Sequence, residues 1–93
     1  MKAIWNGRTL AESNSTVVVE GNHYFPANAI DKSLFRASDH KTTCAWKGEA
    51  SYYDIIVDGK INENAAWYYS NPSAAAAEIK DRVAFWKGVS IVP

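Results

Sequence analysis

Apolar and β-branched residues recur along this chain in short runs, each closed by a turn signal, the pattern of antiparallel strands joined by tight turns. Lys2 to Trp5 is one such run, and Asn6-Gly7 closes it. Asn-Gly suits a type I′ turn because both residues tolerate positive φ. Arg8 to Glu12 returns as the second strand. Thr16-Val-Val-Val-Glu20 is β-branched and predicts a third strand. Gly21-Asn22 is the next turn signal, with His23 to Phe25 as the partner strand. Pro26 ends that strand or sits on its edge. Ala27 to Asp31 has the length of one helical turn. Leu34 to Ser38 is a further strand candidate, interrupted at Asp39-His40. Ser51 to Val57 carries the strongest strand signal. Asp58-Gly59 is a second type I′ pair, and Lys60 to Asn62 and Ala65 to Tyr69 continue the return.

A different pattern follows. Asn71-Pro72-Ser73 is a helix-start signal, with a capping side chain and a proline suited to the first turn. Ala74 to Ile79 then gathers four alanines, the best helix formers in the chain. One short helix is expected there, in the C-terminal half. Val83 to Trp86 reads as a final buried strand, Lys87-Gly88 as a turn, and Val89 to Val92 as a short apolar tail. The whole predicts a mainly β fold of about seven short strands, in two antiparallel sheets packed face to face or meeting at an angle.

Ninety-three residues make one domain, 1–93, able to bury a single modest core. Ten basic and ten acidic residues cancel, and no basic run is present, so nucleic-acid binding is not expected. One cysteine cannot form an internal disulfide. The N-terminal residues hold no apolar run of signal-peptide length. No stretch approaches the roughly 20 apolar residues of a membrane span. A cytoplasmic protein is the expectation, with neither a membrane nor a cofactor as partner. Aromatic content changes the picture more: four Trp, five Tyr and three Phe make 13% of the chain. Such residues fill cores, and they also line ligand surfaces.

Candidate chemistry concentrates in Lys41-Thr-Thr-Cys-Ala-Trp-Lys-Gly-Glu-Ala-Ser-Tyr-Tyr53. Cys44 is the only soft nucleophile, and a neighbouring base or cation would have to activate it. His40 is four residues away, about 13 Å along an extended segment. Lys47 comes close only if Ala45-Trp46 turns. The bland alternative is a small buried hydrophobe. Lys47 can meet an anionic ligand as a point charge or stand solvated at a strand end. Gly48 supplies a backbone conformation or close approach that a side chain would block. Tyr52 and Tyr53 are adjacent, so on a strand they face opposite sides, as do Trp67 and Tyr68. At most one of each pair points into a given cleft. Trp46, Lys47, Gly48, Tyr52, Tyr53, Trp67 and Tyr68 form the candidate ligand set, suited to a planar or cyclic small molecule with or without an anionic group. Two other readings stay open: an enzyme with Cys44 as nucleophile and Lys47 or His40 as helper, and a homodimeric interaction domain with an exposed aromatic edge. No metal site is expected, because one cysteine and two distant histidines offer no ligand spacing.

Several ordered pieces resemble the family known as domain of unknown function 427, also labelled nucleotidyltransferase family 9. They are Tyr24-Phe25-Pro26, Asp31 to Leu34, Thr42-Thr-Cys-Ala-Trp-Lys-Gly48, Ala50-Ser-Tyr-Tyr53, Ala65-Ala-Trp-Tyr68, Pro72 and Val83-Ala-Phe85. The Cys-x-Trp-Lys-Gly piece followed by Tyr-Tyr is the most specific. Ala45 stands where the family usually has proline, which frees φ and restores an N–H. The resemblance implies a β-tent-type fold, two antiparallel sheets leaving a cleft, and no agreed activity. β-Tent relatives often carry a four-cysteine zinc site, which this chain cannot build. Metal-assisted nucleotidyl transfer needs converging carboxylates. Asp54 and Asp58 are separated by an apolar run, and Glu49 and Glu63 are isolated, so the residues do not support that label.

Overall fold

Short strands and tight turns govern the computed structural model, which describes residues 1–93. Nine strands form: β1 (Lys2–Trp5), β2 (Arg8–Glu12), β3 (Val17–Val19), β4 (Asn22–Tyr24), β5 (Phe35–Cys44), β6 (Gly48–Val57), β7 (Lys60–Tyr68), β8 (Val83–Phe85) and β9 (Ser90–Val92). They pair antiparallel in three sheets, ordered β2-β1-β9, β3-β4 and β5-β6-β7-β8. The third sheet arises because the β3–β4 hairpin meets the largest sheet through a single pair. Phe25 and Val83 exchange both backbone hydrogen bonds, 2.8 and 2.9 Å.

The β1–β2 and β6–β7 hairpins turn at Asn6-Gly7 and Asp58-Gly59, as their sequences predict. The β3–β4 turn falls one residue earlier than expected. Val19 pairs with Asn22, which leaves Glu20-Gly21 as the two-residue loop. Glu20 therefore takes a positive φ of 52°, a conformation that costs a non-glycine residue roughly 1–2 kcal/mol.

Asp39-His40 interrupts the ladder but not the strand. Ala37 pairs with Tyr53 and Lys41 with Ser51, so Ser38, Asp39 and His40 face Tyr52 alone. Such a bulge kinks a strand without ending it. A matching slip lies on the other side of β6, where Tyr53 pairs with Ala66 and Ile55 with Asn62. The bulges meet across β6 through Ser38 Oγ and Asn64 Oδ1, 2.5 Å apart. Asp54 sits at this junction, 8% exposed. It accepts from the Asn64 N–H at 2.9 Å and from Arg36 Nη2 at 2.9 Å.

No long helix forms. Ala74–Ile79 is a pair of 3₁₀ turns broken at Ala76, whose φ is −115°. Six residues are too few for alanine propensity to carry an α-helix without packing. The 3₁₀ geometry, which eclipses residues three apart, instead seats Ala76 and Ile79 in the core. Ser73 does not cap the segment with its side chain. Two further 3₁₀ turns, Ala27–Ala29 and Lys32–Leu34, precede β5. Asp31 holds the second by accepting from the Ser33 N–H and Oγ–H.

Two buried clusters cover opposite faces of the β5–β8 sheet. One joins Ile55, Val57, Ala65 and Phe85 to Leu10 of β2 and to Phe25. The other lies beneath Tyr24 and Ile79 and takes Ala50, Tyr52, Tyr69 and Ala84. No helix is long and apolar enough to cross a membrane.

Candidate functional site

Strand parity divides the aromatic pairs. On β6, Tyr52 belongs to the cluster under Tyr24, while Tyr53 packs against the other. On β7, Trp67 follows Tyr52, and Tyr68 follows Tyr53. Tyr53 and Tyr68 stack at 4.9 Å with ring planes 26° apart, and Phe35 meets Tyr53 edge-on at 5.5 Å. Burial, chiefly, raises the Tyr53 hydroxyl above its ordinary pKa, and Tyr68 adds to this. Tyr53 and Tyr68 therefore serve the opposite face of the sheet from Tyr52 and Trp67.

The second face carries a cavity of about 210 Å³ lined by Lys47, Tyr52, Trp67, Tyr69 and Trp86. Lys47, Tyr52 and Trp67 belong to the candidate set expected from sequence, and Tyr69 and Trp86 join them from outside it. Tyr69 was legible by parity, being two residues from Trp67 on one side of an extended chain. Trp86 was hidden by its reading as part of a buried strand; β8 ends at Phe85, and Trp86 turns outward with 47% of its surface exposed. The rings interlock. Trp67 meets Trp86 edge-on at 6.0 Å and Tyr24 edge-on at 6.3 Å. The Trp67 indole N–H donates to the Tyr24 hydroxyl at 3.2 Å, and Trp86 donates to the Asn64 carbonyl at 2.5 Å. Tyr52 exchanges a hydrogen bond with Thr42 at 2.9 Å and lies against the His40 ring at 4.7 Å.

Lys47 is the cation of the site, and the β5–β6 turn explains its position. Ser73 donates its backbone N–H to the Lys47 carbonyl at 3.0 Å and its hydroxyl to the Trp46 carbonyl at 2.5 Å. The turn is thus clamped from outside, and the Lys47 side chain enters the protein, 8% exposed. Gly48 takes φ +110°, and a Cβ there would lie 3.4 Å from the Asn71 carbonyl. Gly48→Ala is expected to cost about 1–3 kcal/mol of stability, from backbone strain. Chemical denaturation checks this, and an unchanged midpoint would contradict it.

The Lys47 ammonium donates to Glu20, 27 residues earlier at the tip of the β3–β4 hairpin. It also lies 5.4 Å from the Trp46 ring centre and 5.6 Å from that of Tyr69, within cation–π range. Burial opposes its charge, but Glu20 and the surrounding hydroxyls of Tyr24 and Tyr69 outweigh burial and raise its pKa. Glu20 is held below the usual carboxylate range by the Lys47 hydrogen bond and charge, with a smaller pull from Trp46. Trp46 itself is 43% exposed and lies outside the cavity wall. Burial raises the Tyr69 hydroxyl against the opposing pull of Lys47.

Cys44 is half-buried at the end of β5, where it packs beside the Tyr24 cluster. The Lys47 ammonium is directed at Glu20, and the His40 ring lies on Tyr52. Neither candidate helper is hydrogen-bonded to the sulfur. No three His, Cys, Asp or Glu side chains converge as a metal-binding group. Asp54 is tied to Arg36 and Asn64, and Asp58 sits in the β6–β7 turn.

The chain belongs to the family described as a domain of unknown function (DUF427), whose family model matches residues 1–92. A comparison with curated proteins found no match.

Proposed function

We propose that this domain binds a small planar or cyclic compound in the aromatic cavity, with an anionic substituent directed at Lys47. One observation carries the reading. Lys47, a buried lysine, lines a space whose other walls are four aromatic rings. Rings of this kind accept a flat ligand by offset or edge contacts, and the single cation supplies orientation. A volume of about 210 Å³ lies below the roughly 300–1,000 Å³ of sites for drug-sized molecules. It suits a single ring with one substituent.

Trp67 and Trp86 are built-in reporters. Titration with ring compounds, among them benzamide and benzoate, is expected to change tryptophan emission saturably. Trp67→Leu should weaken that binding by about tenfold, the upper end of what one aromatic contact contributes. Trp46→Ala should weaken it less, since Trp46 flanks Lys47 from outside the wall. No saturable change with any ring compound, or an unaffected Trp67→Leu variant, would overturn the reading.

A further inference from the structure

Glu20 stands in an unusual place for its residue type. Four two-residue turns place a non-glycine residue at positive φ before a glycine: Asn6, Glu20, Asp58 and Lys87. Asparagine and aspartate are the residues such turns favour. Glutamate and lysine are not, and both exceptions flank the cavity. Lys87 lies 5.2 Å from the centre of Trp86, and Glu20 binds Lys47. Departures from local sequence rules of this kind cluster at functional positions. At the Glu20 turn the longer side chain has a use: it carries a carboxylate to the buried ammonium.

We infer that Glu20 holds on Lys47 the place that a ligand carboxylate would take, and that the cavity selects ring compounds bearing one carboxylate, which displace Glu20 from Lys47. This rests on the cavity being the binding site. Three features support exchange. Lys47 is the only cation among the residues that line the cavity, and the nearby Lys87 is hydrogen-bonded to the Glu63 carbonyl at 2.9 Å, an arrangement that suits one monoanion better than a phosphate. An ammonium has three donors, but two carboxylates on one cation would leave an uncompensated negative charge. The Glu20 side chain is 53% exposed while that of Lys47 is only 9% exposed, so the carboxylate can swing into water provided another anion takes its place on the ammonium. The pair can open where a wholly buried one would not. In such a site the free protein's ion pair lowers the apparent affinity by the fraction of time Lys47 is free.

The test compares wild type and Glu20→Gln for benzoate, neutral benzamide and benzylammonium, read by tryptophan emission and by the indole N–H resonance of Trp67. Glu20→Gln is expected to tighten benzoate binding about five- to tenfold, by removing the competing carboxylate. Benzamide binding should change less than about twofold, since it gains no ion pair. Glu20→Ala repeats the experiment should the glutamine hold Lys47 by a neutral hydrogen bond, and thermal melting confirms that each variant is folded. Equal benzoate affinity in wild type and both variants would overturn the exchange while leaving the cavity as a binding site. Tighter binding of benzylammonium than benzoate by wild type, lost in the variants, would also overturn it, because Glu20 would then be the ligand contact. If neither wild type nor variants bind benzoate, the inference fails; saturable benzamide binding in the same series would still uphold the aromatic cleft.

Discussion

Phe25→Ala is expected to lower the unfolding free energy by about 3–5 kcal/mol, the usual cost of truncating a fully buried phenylalanine. Phe25 is completely buried. Its ring meets Phe85 edge-on at 5.6 Å, and its backbone is the point where the β3–β4 hairpin joins β8. A domain of this length has a total stability of roughly 5–14 kcal/mol, so the loss is a large share of the whole. The hairpin also carries Tyr24 and Glu20, which bond to the cavity residues Trp67 and Lys47. Urea denaturation should show a lower midpoint with little change in slope. If the slope falls markedly as well, the hairpin is detaching from the sheet before the rest unfolds. A loss under about 1 kcal/mol would mean that Phe25 is not the anchor described.

The second large effect concerns Asp54. Asp54→Ala removes three charge-assisted hydrogen bonds, two from Arg36 and one from the Asn64 N–H, and leaves that N–H without a partner in a nearly closed site. A loss of about 3 kcal/mol is expected, at the upper end for a hydrogen bond to a charged group. Most of it comes from the Asn64 side, because Arg36 remains solvated with 54% of its side chain exposed. Burial works against the Asp54 charge, but the Asn64 N–H and Arg36 prevail and hold its pKa below the ordinary value. Linkage then sets the sign. The contribution is complete above the unfolded aspartate value of about 3.9 and is lost as pH falls through the lower folded value. Melting temperature followed from neutral pH into acid should fall less for Asp54→Asn than for wild type. Asp54→Asn keeps an oxygen for the Asn64 N–H, so it should also be less harmful than Asp54→Ala at neutral pH. A wild-type and Asp54→Asn pair with identical acid profiles would contradict the assignment.

The parts of this fold that were legible from sequence are those decided within a few residues. Asn6-Gly7 and Asp58-Gly59 place their hairpins because two side chains and one backbone conformation settle the turn. Glu20-Gly21 was placed one residue late because glutamate is a poor turn residue, and what favours it lies at Lys47. The alanine segment reads as a helix from its Asn71-Pro72-Ser73 start signal and its alanine propensity. Its short length and the burial of Ala76 and Ile79 selected tighter turns. In the site, adjacency in sequence gave the separation of Tyr52 from Tyr53 and of Trp67 from Tyr68, but not which member faces the cavity. That choice depends on which face the β3–β4 hairpin covers, a long-range contact. The Glu20–Lys47 pair and the role of Trp86 depend on long-range packing, and the unusual glutamate of the Glu20-Gly21 turn is the one local hint of either.

The paired bulges beside β6 also limit how this chain can change its length. Each inserts an even number of residues, three facing one, on either flank of the strand, so the inward and outward alternation beyond them is preserved. Deleting one residue between Ala37 and Lys41 would turn either Phe35 or Cys44 to the wrong side of the sheet. Deleting two would straighten β5 and restore the alternation. Insertions and deletions here should therefore be tolerated in steps of two and rejected in steps of one.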